Sequence, residues 1–233
     1  MTPLILFDID GTLLKPGDTV HQQALMDAVA EVYGVQASLE GVPLGGMLDS
    51  QIVRLALEKE SMPLETIRQG LAQTMQRMGE RYVELLGDGE RRSWLLPGVE
   101  ALIARMAPEF TLSVLTGNAT GVARAKLAAA GIGNYFPYGA FGDSADHRHE
   151  LVPVAVELVR AQTGFAPQPG QVVLIGDTPR DIEAAKASGS RVVAVATGRY
   201  GIDELADHGP DVVFPTLEDV EQVYAVVLEL TAG

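Results

Sequence analysis

The chain contains no cysteine. A disulfide framework and a thiolate nucleophile are both excluded, and the composition fits a reducing cytosol. Cations are also scarce. Lys and Arg number 17 against 31 Asp and Glu, for a net charge of −14. A surface of that sign repels nucleic acid and anionic membranes. If the substrate is an anion, its attraction must be local. No run approaches the roughly 20 apolar residues of a membrane helix. The first apolar run breaks at Asp8, too early for a signal peptide. These absences lead us to expect a cytoplasmic protein with no nucleic-acid or membrane partner. No obligate protein partner is implied. The single tryptophan, Trp94, reads as packing at the edge of the core.

Apolar residues are plentiful, at 47% of 233, enough for a sizeable core. Short strand-like runs recur at "PLILFDI" (3–9), "FTLSVLT" (110–116), "QVVLIGD" (171–177) and "RVVAVAT" (191–197), with weaker ones at 137–142 and 211–215. Amphipathic stretches follow them at 119–130, 151–163, 179–188 and 217–230. Strands that are apolar throughout, alternating with helices, predict an α/β fold with a Rossmann-like parallel sheet covered on both faces. One interval breaks the alternation. Residues 21–35, 50–60 and 63–86 read as three helices with no strand between them. The expected organisation is a catalytic core of residues 1–14 and 93–233, with an all-α cap, residues 15–92, inserted after the first strand.

Ligands of open parallel sheets bind at the carboxyl ends of the strands. The first strand ends in Asp8-Ile9-Asp10-Gly11-Thr12. The second ends in Thr116-Gly117-Asn118, and the third strong run in Gly176-Asp177-Thr178-Pro179-Arg180-Asp181. Aspartate is poorly suited to a strand interior, so a pair at the end of one asks for a reason. Residues i and i+2 share a face, so Asp8 and Asp10 can address one reacting group. One can attack while the other transfers protons. Four carboxylates in one pocket repel one another. A hard divalent cation such as Mg²⁺ relieves that repulsion, and it favours a phosphate-bearing substrate. The helix N-termini after Gly117 and Pro179 are expected to add anion attraction. Gly11, Gly117 and Asn118 are the candidates for phosphate binding.

"DIDGT" (8–12) resembles the D-x-D-G-T signature of haloacid dehalogenase-like hydrolases, most of which are phosphatases. "LTGN" (115–118) and "GDTPRD" (176–181) resemble that family's second and fourth motifs, in the family's order. The helical insertion is similar to the cap of the phosphoglycolate phosphatase-like branch. The resemblance implies a Mg²⁺-dependent phosphatase of a small phosphorylated metabolite. Asp8 would be the nucleophile, forming an aspartyl-phosphate. Asp10 would be the acid and then the base, and Thr116 a phosphoryl hydrogen-bond donor. Asp8, the Asp10 carbonyl and Asp177 would ligate the metal, with Asp181 beside it. Asp49, in the insertion, would either cap a helix or contact the substrate.

The family's third motif normally supplies a lysine between the second and fourth. Near residue 148 this chain has "ADHRHELVPVAVE", so Arg148 is the expected substitute. Its neighbours His147 and His149 read as solvated helix-start residues. The four lysines, 15, 59, 126 and 186, are expected to be worse placed. In particular, Lys126, two turns into the helix after the second strand, is expected to point away from the strand ends. Two alternatives stay open: a sugar phosphomutase on the same core, and a silent phosphate-binding regulatory module.

Overall fold

The computed structural model describes residues 2–232. Six strands, β1 (Leu4–Phe7), β2 (Thr111–Leu115), β3 (Tyr138–Ala140), β4 (Val172–Gly176), β5 (Arg191–Val195) and β6 (Val212–Phe214), form one sheet in the order β3-β2-β1-β4-β5-β6. Every pairing is parallel. β1 and β4 are buried throughout. That is why they are apolar without alternation, as sheets covered on both faces require.

The parity of β1 divides the core. Ile5, Phe7 and, beyond the strand, Ile9 pack with α4 (Val99–Met106) and α9 (Val220–Ala232). Leu4 and Leu6 pack on the other face with α6 (Leu151–Thr163) and α7 (Pro179–Ala187). Continued past the strand, the same parity carries Asp8 and Asp10 to one side while Ile9 stays in the core. α5 (Thr120–Ala129) follows β2, and α8 (Ile202–Asp207) follows β5. Periodicity does not mark α8, which at six residues is too short to show a helical repeat.

Between Lys15 and Arg92 the structure has only helices and loops, as the missing strand pattern predicts. α1 (Thr19–Tyr33), α2 (Asp49–Lys59) and α3 (Leu64–Leu86) close around an apolar cluster including Leu25, Val53, Met78 and Tyr82, which they share with Ala119 and Val122 at the start of the helix after β2. Asp18 caps α1 and also accepts a hydrogen bond from the Tyr82 hydroxyl at 2.7 Å, tying α1 to α3. The chain leaves and returns side by side. The Lys15 amide donates to the Trp94 carbonyl at 2.9 Å, and the Leu96 amide to the Leu13 carbonyl at 3.0 Å. The helices lie over the strand ends rather than against the sheet faces. Asp49 N donates to the Gly117 carbonyl at 2.8 Å, and the Ser50 hydroxyl to the Gly142 carbonyl at 2.9 Å.

Candidate active site

The turn after β1 explains the glycine of "DIDGT". The amides of Leu13 and Leu14 both donate to the Ile9 carbonyl, reversing the chain within a few residues. Gly11 holds φ at +87°, and a Cβ there would lie 2.2 Å from an Asp177 carboxylate oxygen. Only glycine tolerates both the left-handed backbone and the close approach. Gly117 is confined for another reason: a Cβ would stand 1.9 Å from the Met47 carbonyl of the overlying loop. Both glycines therefore have packing roles at the site.

A cavity of about 410 Å³ opens at the strand ends and contains Asp8, Asp10, Thr116, Arg148, Asp177 and Asn118. A larger open groove of about 1150 Å³ runs between α3 and the start of α5 but holds none of these residues. Asp8, Asp177 and Asp181 each offer an oxygen within 4.8 Å of the others, and all three are buried. Burial, first, and neighbouring carboxylates push Asp8 up to about 7, although Arg148 and the Ile9 amide work the other way. Burial, then Asp8 and Asp181, push Asp177 up to about 8. The metal-free cluster is thus one that resists full ionisation, which is what a divalent cation among oxygen ligands corrects.

The three carboxylates are not equally free. One Asp181 oxygen accepts from Arg148, and the other accepts from the Thr178 amide at 3.1 Å and the Thr178 hydroxyl at 2.6 Å. Both oxygens are committed, to Arg148 and to the cap of α7. Asp177 accepts from the Thr12 hydroxyl at 3.2 Å through one oxygen only. Asp8 accepts from the Ile9 amide at 2.8 Å through one oxygen and pairs with Arg148 at 3.0 Å through the other. The residues therefore fit a hard cation held by Asp8 and Asp177, with Asp181 acting on it from behind Arg148.

Arg148 lies on the short turn Arg148–Glu150 that leads into α6 and is itself buried. Its guanidinium bridges Asp8 and Asp181, and it donates to the Gly46 carbonyl at 3.3 Å. His147 and His149 stack on each other, 5.5 Å between ring centroids, outside this cavity.

Lys126 overturns the expectation drawn from its helix position. Its ammonium donates to both Asp10 oxygens, at 2.8 and 2.7 Å, and to Asn118 Oδ1 at 2.8 Å. The reason is geometric. Helical side chains lean toward the helix N-terminus, and the N-terminus of α5 is at the strand ends. Six residues past Thr120 is about 9 Å along the axis, a distance that an extended lysine largely spans. A sequence signal existed. Lys126 shares a helix face with Ala119, Val122 and Ala123, all buried, where a solvated lysine has no place. Asn118 adds a bond from its amide to Asp10 Oδ2 at 2.8 Å and another to the Thr116 hydroxyl oxygen at 2.7 Å. Burial raises Asp10, but Lys126 and then His21 outweigh it, and its carboxyl sits below the usual range.

His21 is a second residue missing from the sequence reading, and this one gave no sequence signal. Its Nε2 lies 3.0 Å from Asp49 Oδ2, and its Nδ1 lies 3.3 Å from the Lys126 ammonium. Asp49 does not cap its own helix, where Leu48 holds the cap position. Its buried carboxylate instead accepts from the Ala119 amide at 2.7 Å, at the start of α5. Asp143 takes the next amide, of Thr120, at 3.1 Å. The α7 terminus is closed by the reciprocal Thr178–Asp181 box. The two helix ends read as phosphate attractors are thus already engaged by carboxylates of the chain. Ala119, which brings no capping side chain, is the local reason that α5 borrows one.

A sequence model of the haloacid dehalogenase-like hydrolase family matches residues 5–186. The chain belongs to this family. The probable phosphatase IndB of Dickeya dadantii (strain 3937) is 27% identical over 241 residues, covering 100% of this chain and 98% of the relative. A phosphoglycolate phosphatase of Nitrosococcus oceani is 26% identical over 236 residues, covering 94% and 95%. Relatives of this kind set the chain in the phosphoglycolate phosphatase-like branch. The crystal structure of a β-phosphoglucomutase from Clostridium difficile superposes with a TM-score of 0.72 at 18% identity over 100% of both chains, a likeness of fold. No helix among the described residues is long and apolar enough to cross a membrane.

Proposed function

We propose that this hydrolase is a cytoplasmic phosphomonoesterase of small phosphorylated metabolites, working through an aspartyl-phosphate on Asp8. The observation that carries the reading is the buried set of Asp8, Asp177 and Arg148 beside a separately anchored Asp10. In the first step an Asp8 oxygen bonds to phosphorus as the phosphorus–oxygen bond to the leaving group breaks. Asp10 gives that oxygen its proton. In the second step Asp10 takes a proton from water, whose oxygen attacks phosphorus and releases Asp8 and inorganic phosphate. Arg148, fixed against Asp181, steadies Asp8 and the equatorial oxygens as charge develops. Thr116 and Asn118 orient the phosphoryl group and Asp10. Asp8, Asp177 and the Asp10 carbonyl would hold Mg²⁺, which supplies electrostatic neutralisation of phosphate and nucleophile. Residues 15–92 act as the cap that covers the reacting centre, with Asp49 docking it on α5 and shaping the substrate space.

The test is phosphate release from a panel of phosphomonoesters with and without Mg²⁺, repeated with Asp8→Asn. Turnover should require the metal and vanish in the variant, since a carboxamide forms no acyl-phosphate. Appreciable turnover by a verified Asp8→Asn preparation would refute the covalent route.

A further inference from the structure

The wall of the cavity opposite the carboxylates comes from the cap, and beyond a polar edge of Asp18, His21, Gln22 and Asp49 it is apolar. Leu25 of α1, Ile52 of α2 and three residues of the connecting loop, Leu39, Val42 and Leu44, line it. The loop presents them on either side of a turn at Glu40-Gly41, closed by the Val42 amide donating to the Leu39 carbonyl at 3.0 Å. Leu39, Val42 and Leu44 are partly covered, whereas Ser38, Glu40 and Pro43 are exposed. The turn brings Leu39 to the same side as Val42 and Leu44 and leaves Ser38, Glu40 and Pro43 toward water.

The same wall contributes no lysine or arginine to the cavity. The cap's basic group there, His21, is engaged with Asp49, and among the described residues Lys126 and Arg148 are engaged with Asp10, Asp8 and Asp181. Arg199, on the loop after β5, is an exposed cation of the lining that is in no ion pair among the described residues, and it belongs to the core rather than to the cap wall. Against the apolar wall, away from Arg199 and Gln22, a carboxylate carried close to the phosphate, as in glycolate, would face methyl groups and lose its hydration without a counter-charge. The space is also generous. About 410 Å³ lies in the range of cavities that hold ligands well beyond a two-carbon acid.

Resting on the phosphatase reading above, we infer that the substrate is a phosphomonoester of an apolar alcohol of several carbons, its organic part packed on Leu25, Leu39, Val42, Leu44 and Ile52. The family relatives named for phosphoglycolate do not set the substrate of this chain; the cap wall does. Each methylene laid on that wall leaves water, and the gain appears in kcat/KM because the contact persists in the transition state.

The experiment measures kcat/KM with Mg²⁺ for phosphoglycolate, ethyl phosphate, butyl phosphate and hexyl phosphate. We expect a rise of about fourfold per methylene through the alkyl series, with phosphoglycolate below ethyl phosphate. Val42→Asn and Leu44→Asn, measured separately, should flatten the slope, because each replaces wall by amide. Hydrolysis with a flat series, with phosphoglycolate at or above hexyl phosphate, or with a slope unchanged in both variants overturns the inference and leaves the phosphatase reading standing. Hydrolysis of none of the four would refute both.

Discussion

Lys126→Met is the sharpest perturbation, because it keeps the length of the side chain and removes only the ammonium. In the wild type that ammonium makes three charge-assisted contacts, two to Asp10 and one to Asn118, while 2% exposed. Removing one partner of a buried pair costs about 3–5 kcal/mol. The Asp10 side chain is 28% exposed, so water takes up part of its charge. A net loss of roughly 2–3 kcal/mol follows once that screening is allowed for. For a chain of this size it lowers Tm by roughly 4–12 °C. The kinetic effect is larger and selective. Asp10 keeps the Asn118 amide but loses the clamp across both oxygens, so proton transfer suffers while attack by Asp8 does not. General acid–base catalysis is worth about 10²–10⁴-fold, and a carboxylate still present but poorly aimed should forfeit about 10². The loss should fall on alkyl phosphates, whose leaving alkoxide needs a proton. p-Nitrophenyl phosphate, whose leaving group departs as a stable anion, should lose about tenfold or less, a small part of that acid–base contribution. Lys126 also holds the Asp10 carboxyl down, so its removal should move the alkaline limb of the pH–rate profile for alkyl phosphates upward, since Asp10 must carry the proton that it gives. Equal losses on both substrate classes with an unmoved profile would refute the positioning role and leave Lys126 a structural charge.

Arg148→Ala should lose about 10²–10³ in kcat/KM, the scale for one preorganised donor. Arg148→Lys should restore only part of it, since an ammonium cannot bridge Asp8 and Asp181 as the fork does. A kinetically silent alanine variant would remove Arg148 from the chemistry. Asp8 at about 7 and Asp177 at about 8 both stand above their unfolded value of 3.8. The metal-free native state therefore binds more protons than the unfolded chain between about pH 4 and 8, so its stability falls as pH rises across that window and levels off above about 8. Mg²⁺ should raise Tm more at pH 8 than at pH 5.5, where it must displace protons. Equal shifts at the two pH values in thermal melts would contradict the assignment of Asp8 and Asp177 as ligands.

Much of this was legible before any coordinates. Continuous apolar runs named β1, β2, β4 and β5, because a doubly covered strand has no polar face to hide its pattern. The edge strands β3 and β6 gave weaker signals because they have only three residues each. The motif residues Asp8, Asp10, Thr116 and Asp177 meet at the strand ends because each follows closely where its strand stops, and Asp181 joins them from the first turn of α7. Arg148 could be found by where a cation was missing. What escaped depends on contacts between distant residues. Lys126 meets Asp10 across 116 positions and His21 across 105. Asp49 caps a helix that starts 70 residues later. Helix position suggested that Lys126 faced away, because the reading followed the Cα and not the tilt of the side chain. The occupied helix N-termini could not be anticipated either, since a terminus advertises its free amides while the carboxylates that fill them come from elsewhere in the chain.

The distribution of charge explains why the site uses two cations where its motifs call for one. Asp8, Asp10, Asp177 and Asp181 bring four carboxylates to the strand ends, and Arg148 and Lys126 bring two positive groups. The balance is two negative charges, which the raised Asp8 and Asp177 absorb as protons when no metal is bound. One divalent ion would absorb the same two. The cations also divide the work. Arg148 lies with the pair whose carboxyls are raised, and Lys126 lies with Asp10, whose carboxyl is lowered. Without a metal this split runs opposite to the roles, because the nucleophile Asp8 must be ionised to attack and Asp10 must carry a proton to give; a divalent ion held by Asp8 and Asp177 would lower both of them and keep Asp8 ionised. A lysine in place of Arg148 would serve Asp8 alone. The fork serves Asp8 and Asp181 at once, and so fixes the nucleophile to α7 through the residue that closes its N-terminus.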